Sequence, residues 1–182
     1  MSLTQYYTAT TLDGFIADES HSLEWLFTRN QDRAGPLNYD AFYESVGAVA
    51  MGSTTYEWIL DHEAGSTWPY DVPAWIFTHR ELRRVPGAEV TFTSGDVRDV
   101  HEAMKEAAGD RNLWVFGRGD LAGQFADAGL LEEVIVYVAP VTLGSGAPLL
   151  PRRVELRLEE TARNGDFVTA RYAVVSAGAE RA

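Results

Sequence analysis

Trp114-Val115-Phe116-Gly117-Arg118-Gly119-Asp120-Leu121-Ala122 is the stretch on which the fold turns. Leu113 to Phe116 is a compact apolar run, the pattern of a buried strand. A G-x-G-x-x-A sequence follows it at once and opens a segment with Leu121, Phe125 and Ala128 on one helical stripe, stopped by Gly129. A second junction of the same kind lies upstream. There the apolar run Gly47 to Met51 ends at Gly52, and Ser53-Thr54-Thr55 leads into a helix carrying Tyr56, Trp58, Ile59 and Leu60, with Thr54 and Glu57 spaced as a capping box. A helix N-terminus presents unpaired N–H groups and the positive end of a dipole, and nearby hydroxyls add donors for an anion. Each junction alone reads equally well as an ordinary capped helix. On one sheet, the pair suggests a dinucleotide whose phosphates spread over two helix starts.

A standard Rossmann arrangement does not fit. The strand Val134 to Val138 runs into Ala139-Pro140 with no acidic residue to hold a ribose, and the glycine motif comes too late to open two mononucleotide-binding halves. Outward from the two junctions the chain reads as alternating strands and helices. Leu3 to Thr10 is a strand ended by the turn Leu12-Asp13-Gly14, His21 to Pro36 a loop with a helical turn, and Asn38 to Val46 a short amphipathic helix. Ala74 to Thr78 and Glu89 to Thr93 are strands. Asp96 to Ala108 is a helix with Val97, Val100, Met104 and Ala107 on its apolar face, His101 on its surface and Gly109 as its C-cap. After a Gly/Pro loop from Pro140 to Pro151, Val154 to Ala162 and Phe167 to Val175 pair as a hairpin around Asn164-Gly165. The expectation is an α/β fold with a mixed, mostly parallel central sheet flanked by helices and an antiparallel C-terminal hairpin. Residues 1–175 form a single domain in this reading, and 176–182 a flexible tail.

Composition narrows the function. The chain has 182 residues, 46% of them apolar and 12% aromatic, enough for one sizeable core. With no cysteine there is no thiol chemistry, Fe–S cluster or Cys-zinc site. A net charge of −12 argues against a general nucleic-acid surface. No apolar run reaches the roughly 20 residues of a membrane span, and the N-terminus has no basic region, so a cytoplasmic location is expected. The four histidines are scattered, His62-Glu63 and His101-Glu102 lack a second His at metalloprotease spacing, and no metal is expected. Neither a G-x-S-x-G elbow nor a G-x-x-x-x-G-K-[ST] loop is present. Thr78-His79-Arg80 follows a strand; Arg80 suits a ribose 2′-phosphate, or is a solvated basic turn.

Four motifs in order resemble the dihydrofolate-reductase-like family. Its closest branch in these motifs is the C-terminal reductase domain of the riboflavin-biosynthesis deaminase-reductase and its stand-alone relatives. They are Thr10-Thr11-Leu12-Asp13-Gly14-Phe15-Ile16-Ala17, Met51-Gly52-Ser53-Thr54-Thr55-Tyr56-Glu57, the Trp114 to Ala122 stretch, and Leu130-Leu131-Glu132-Glu133 with Ala139-Pro140-Val141-Thr142-Leu143-Gly144-Ser145-Gly146-Ala147-Pro148-Leu149-Leu150. The resemblance implies an NADPH-binding α/β reductase, usually a homodimer, acting on a pterin-like, aminopyrimidine-like, imine or carbonyl substrate. It implies that Ala9, Gly14 and Ile16 border the nicotinamide and that Gly52, Ser53, Thr54 and Thr55 hold part of the phosphate chain. By the same token Thr78, His79 and Arg80 face the 2′-phosphate, and Gly117, Arg118, Gly119, Asp120 and Leu121 wrap the pyrophosphate. Ser53 stands where the family often has Arg, and Arg118 where it has Gly; Arg118 is placed to supply the charge that Ser53 lacks.

A hydride acceptor also needs a proton. Asp13 lies beside the implied nicotinamide position, although an Asp-Gly turn is ordinarily structural. Asp40 and Glu44, one helical turn apart, lie where dihydrofolate reductases carry their acid, or are an N-cap and a solvated Glu. Trp68 and Tyr70, in the long loop from Glu63 to Pro73, stack on a planar substrate or close over the core. The competing reading is a dimeric nucleotide-binding module without turnover, and a flavin site is a weaker third.

Overall fold

A computed structural model of the chain describes residues 2–62 and 68–175. The elements run β1 (Thr4–Thr11), β2 (Phe15–Ala17), α1 (Glu24–Phe27), α2 (Tyr39–Glu44), β3 (Val46–Gly52), α3 (Ser53–His62), β4 (Ala74–Phe77), β5 (Val90–Thr93), α4 (Val97–Ala108), β6 (Asn112–Phe116), α5 (Gly119–Asp127), β7 (Glu133–Ala139), β8 (Ala147–Pro148), β9 (Leu156–Asn164) and β10 (Phe167–Val174). Eight strands form one sheet in the order β5-β4-β3-β6-β1-β7-β10-β9. From β5 to β7 every neighbouring pair is parallel, and β10 pairs antiparallel with both β7 and β9. The expected mixed sheet with its C-terminal hairpin is the one observed.

Both faces of the sheet are covered, which is why β3, and β6 after Asn112, run apolar rather than alternating with polar residues. Val49 and Met51 of β3 point to one face, where they meet Tyr56 and Ile59 of α3. Ala48 and Ala50 point to the other, where they meet Val97 and Met104 of α4 and Phe125 of α5. Helices α3 and α5 therefore lie on opposite faces, although their parent strands β3 and β6 are neighbours. The connection leaving β3 goes towards β4, and the one leaving β6 goes past β1 to β7. Where two crossovers diverge in this way a crevice opens beyond the carboxyl ends of the strands.

Three local expectations are corrected. His101 is buried, not on the surface of α4, and Ala108 rather than Ala107 completes the apolar face. The burial is tolerated because the ring hydrogen-bonds the Thr4 hydroxyl at 2.8 Å and burial holds its pKa below the usual histidine value, in the neutral form. Helix α3 starts at Ser53, directly off the strand, rather than after a cap at Thr54, and the Glu57 carboxylate turns to Arg80. The Gly/Pro loop after Pro140 contains β8, which pairs antiparallel with β2. Neither three-residue nor two-residue strand is long enough to show a period. The tail 176–182 and the stretch from Glu63 to Thr67 lie outside the described residues. Among the described residues no helix is long and apolar enough to cross a membrane.

Candidate active site

Along the carboxyl edge of the sheet four chain segments emerge side by side, because β4, β3, β6 and β1 are consecutive neighbours. They are Thr78 to Arg80, Gly52 to Thr55, Gly117 to Gly119, and the stretch from Ala9 to Ile16. Three strand spacings make this row about 14 Å long. In the middle, Gly117 adopts φ +90°, and a methyl group in place of its α-hydrogen would collide with the Thr55 hydroxyl. Glycine is required there both by conformation and by contact. Gly119 is equally constrained, since a side chain would strike the Leu149 carbonyl.

The two helix starts are furnished differently. At α5 the N-cap is Arg118, which makes no side-chain capping bond; its Nη2 lies 2.9 Å from His21 Nε2. The guanidinium can only donate, so that ring nitrogen accepts. Asp120 in the first turn is turned aside to Gln124 and Arg152, whose hydrogen bonds hold its carboxyl below the usual range. Leu121 points into the core beneath the helix. At α3, Arg80 reaches across from the end of β4, donating to Glu57 at 2.6 Å and to Ser53 Oγ at 3.1 Å. His79 is exposed beside it, and Thr78 caps the turn by accepting from the Arg80 amide.

Beyond this row lies a cavity of about 370 Å³. Its walls include Ala9, Ile16, Thr54, Thr55 and Gly117, with Arg118 and His21 at one side. Much of the remaining wall is aromatic: Tyr7, Tyr39, Tyr70, Trp114 and Phe116. Trp114 and Phe116 stack with ring centroids 4.1 Å apart, and Tyr70 meets Trp114 edge-on. Arg118 and His21 also border a second cavity, lined by Gly119, Asp120 and Ser145 to Pro148, so their pair stands between the two.

The candidate acids lie elsewhere. Asp13 accepts from the Thr11 hydroxyl and from the amides of Leu143 and Gly144. Those bonds, the Thr11 hydroxyl first, lower its pKa, so the group is an ionised tether between the β1–β2 turn and the loop after β7. Gly14, with φ +83°, completes that turn. Asp40 is exposed and paired with Arg33 at 2.9 Å, and Glu44 is exposed at the end of α2; neither lines the cavity. Tyr70 is on the cavity wall, whereas Trp68 packs behind it against Tyr56. Sequence reading did not single out Tyr7, Tyr39, Trp114 or His21. The β1 and β6 aromatics look like core until the crevice is placed beside them.

A sheet of this order, with a divergent crevice and a glycine-opened helix start beside it, has the dihydrofolate-reductase-like α/β architecture. The chain belongs to the RibD C-terminal domain family, whose model matches residues 4–166. It is 33% identical over 173 residues to the uncharacterized protein YwjB of Bacillus subtilis, covering 93% of this chain and 96% of that one. Its structure is similar to that of a putative riboflavin biosynthesis protein from Shewanella sp. PV-4, with a TM-score of 0.81, 24% identity, and coverage of 96% and 99% of the two chains. It also resembles the riboflavin biosynthesis reductase of Saccharomyces cerevisiae, with a TM-score of 0.61, 14% identity, and coverage of 96% and 90%. Family membership makes the chain an oxidoreductase of the riboflavin-biosynthesis reductase type.

Proposed function

We propose that the row of loops binds NADPH and that the cavity beside Ala9 and Ile16 receives a small heterocyclic, carbonyl or imine acceptor for its hydride. The observation that carries this reading is the order of the segments along the sheet edge. Arg80 and Ser53 lie at the β4 side for the 2′-phosphate. Thr54, Thr55 and the glycine-opened start of α5 come next for the pyrophosphate. The cavity reaches from Thr54 and Thr55 to Ala9 and Ile16 at the β1 side, where the nicotinamide would lie. The residues fit the cofactor: the α5 start has no side-chain cap, and Gly117 and Gly119 leave its backbone open to phosphate oxygens. When bound, the cofactor supplies hydride at its nicotinamide ring. Ile16 and Ala9 press the ring into place, Arg118 neutralises phosphate charge, and the aromatic wall excludes water from the reacting faces. Among the described residues no carboxyl group lines the cavity, which leaves the His21 imidazole, the wall hydroxyls and water as proton sources.

Titrating the protein with NADPH and NADH while following tryptophan fluorescence tests the reading. Quenching by NADPH at lower concentration than by NADH is expected, and binding of neither overturns it. Ser53 and Arg118, standing where the family often has Arg and Gly, favour one second reading, a dimeric nucleotide-binding module without turnover. Tight NADPH binding with no oxidation by any acceptor in a screen would select it. We also propose a homodimer, supported by the exposed apolar side chains of the hairpin, Leu156 and Leu158 at one end and Val168 near the turn. Sedimentation as a monomer at micromolar concentration would remove that element.

A further inference from the structure

The pair that stands between the two cavities joins a cation to a base. Arg118 Nη2 lies 2.9 Å from His21 Nε2 and 3.2 Å from Nδ1. A guanidinium has only donors, so a ring nitrogen has to accept, and a neutral imidazole has one that does. An imidazolium carries N–H on both nitrogens and accepts nothing. The contact therefore exists with the neutral ring alone, and Arg118 and a proton compete for it.

The charged groups around the ring come from two elements. Arg118 and Asp120 belong to the start of α5, and Asp18 and Glu19 to the turn that carries His21. Asp120 is taken up by Gln124 and Arg152, Asp18 accepts from the amides of Ser20 and Ser22, and Glu19 is exposed. In the first cavity the other titratable groups among the described residues are the phenols of Tyr7, Tyr39, Tyr70 and Tyr137. Arg118 is thus the charge in direct contact with the ring.

The turn holds His21 without help from Arg118. The His21 amide donates to the Asp18 carbonyl at 3.0 Å, and the Asp18 amide to the Ser22 carbonyl at 3.3 Å. With both Asp18 side-chain bonds, this closes residues 18–22 into a loop directly after β2. It leaves His21 at φ +62°, a left-handed backbone that is uncommon outside glycine. His21 lines both cavities from that turn.

We propose that cofactor binding and protonation of His21 are coupled through Arg118. The proposal rests on the reading of the α5 start as the phosphate subsite. A phosphate that draws Arg118 to itself frees the ring nitrogen and offsets the positive charge that opposed a second one beside it. The His21 ring then takes a proton from water and holds it on the wall of the acceptor cavity. Of the proton sources on those walls, the imidazole is the one that cofactor binding fills. An imidazolium there offsets the negative charge that hydride delivery leaves on an acceptor.

Calorimetric titration with NADP⁺ near pH 7, in buffers of different ionisation heat, counts the protons exchanged on binding. The comparison is between the wild type and His21→Asn, since Asn tolerates a left-handed backbone and has no ring to titrate. His21→Gln, a second side chain that does not titrate, should behave as the Asn variant does. The 2′-phosphate and the exposed His79 also exchange protons, but they are common to all three proteins, so the difference belongs to His21. The wild type is expected to take up about half a proton more per NADP⁺ than either variant. Its affinity should also fall more steeply between about pH 6 and 8, because a proton held more tightly in the complex favours the complex at low pH. Binding of NADP⁺ with equal proton counts, or with fewer for the wild type, overturns the coupling and leaves the cofactor reading standing. No binding of NADP⁺ by the wild type rejects the cofactor reading, and the coupling with it.

Discussion

The starts of α3 and α5 sit on neighbouring strands and each follows a glycine, yet they handle charge in opposite ways. At α3 the cation arrives from another element: Arg80 is held by Glu57 and touches Ser53, so its charge is offset before any ligand comes. At α5 the cation is the N-cap residue itself, and the partner it donates to is a histidine ring rather than a carboxylate. A phosphate at α5 therefore meets a full positive charge, whereas one at α3 has to displace or share a carboxylate. On the proposed NADPH reading, general affinity for the dinucleotide falls to Arg118 and discrimination between NADPH and NADH to Arg80.

The largest effect tests the point where the two starts meet, Gly117 against Thr55. Gly117→Ala should abolish NADPH binding and lower stability by about 1–3 kcal/mol, because φ +90° and the Thr55 hydroxyl both oppose a side chain. A wild-type thermal midpoint together with wild-type affinity would show that the junction is more pliable than its packing indicates. Next, Arg118→Ala should weaken NADPH and NADH alike by about tenfold, the worth of one charge-assisted hydrogen bond to phosphate. A loss confined to NADPH would exchange the roles of the two arginines. Arg80→Ala should cost NADPH about fivefold to tenfold and leave NADH untouched, since an exposed ion contact is screened by water and salt. Direct titration with both nucleotides at two salt concentrations reads each of these.

Much of this was legible in the sequence, and what was not shares a physical reason. The strands β3 and β6 and the helices behind them announce themselves because period and punctuation are local: an apolar run, a glycine, a helical stripe. The C-terminal hairpin is visible for the same reason, although its turn falls at Gly165-Asp166, one place after the Asn-Gly pair, as are the Asp96 cap and the Gly109 terminus of α4. Pairings between distant residues were not. Glu57 and Arg80 are 23 residues apart, so nothing local says that the Glu leaves its capping position for the Arg. Asp13 is 130 residues from the Leu143 amide that it accepts from, and only the closed fold shows it to be a tether. His101 was misplaced because a polar residue in a helical stripe reads as surface unless its partner, Thr4 on β1, is known. The aromatic wall is the same case: Tyr7 and Trp114 are core by pattern, and become cavity walls only because the sheet order opens a crevice beside them.

The smallest predicted effect is the sharpest for the comparison, because it separates holding an arginine from neutralising it. Glu57→Gln removes the carboxylate charge facing Arg80 while keeping an amide oxygen that can accept from the guanidinium. If Glu57 chiefly positions Arg80, its neutral analogue keeps that position, and the 2′-phosphate then meets an arginine whose charge is no longer offset. NADPH affinity should rise by about twofold to fivefold, and NADH affinity should stay level, because the group at issue touches only the 2′-phosphate subsite. Both side chains are about half exposed, so the gain stays small and shrinks with added salt. A fall in NADPH affinity would mean instead that the carboxylate's grip is what keeps Arg80 in reach. The α3 start would then resemble α5 in needing its cation fixed by a neighbour, and the contrast between the two would narrow to which neighbour does the fixing.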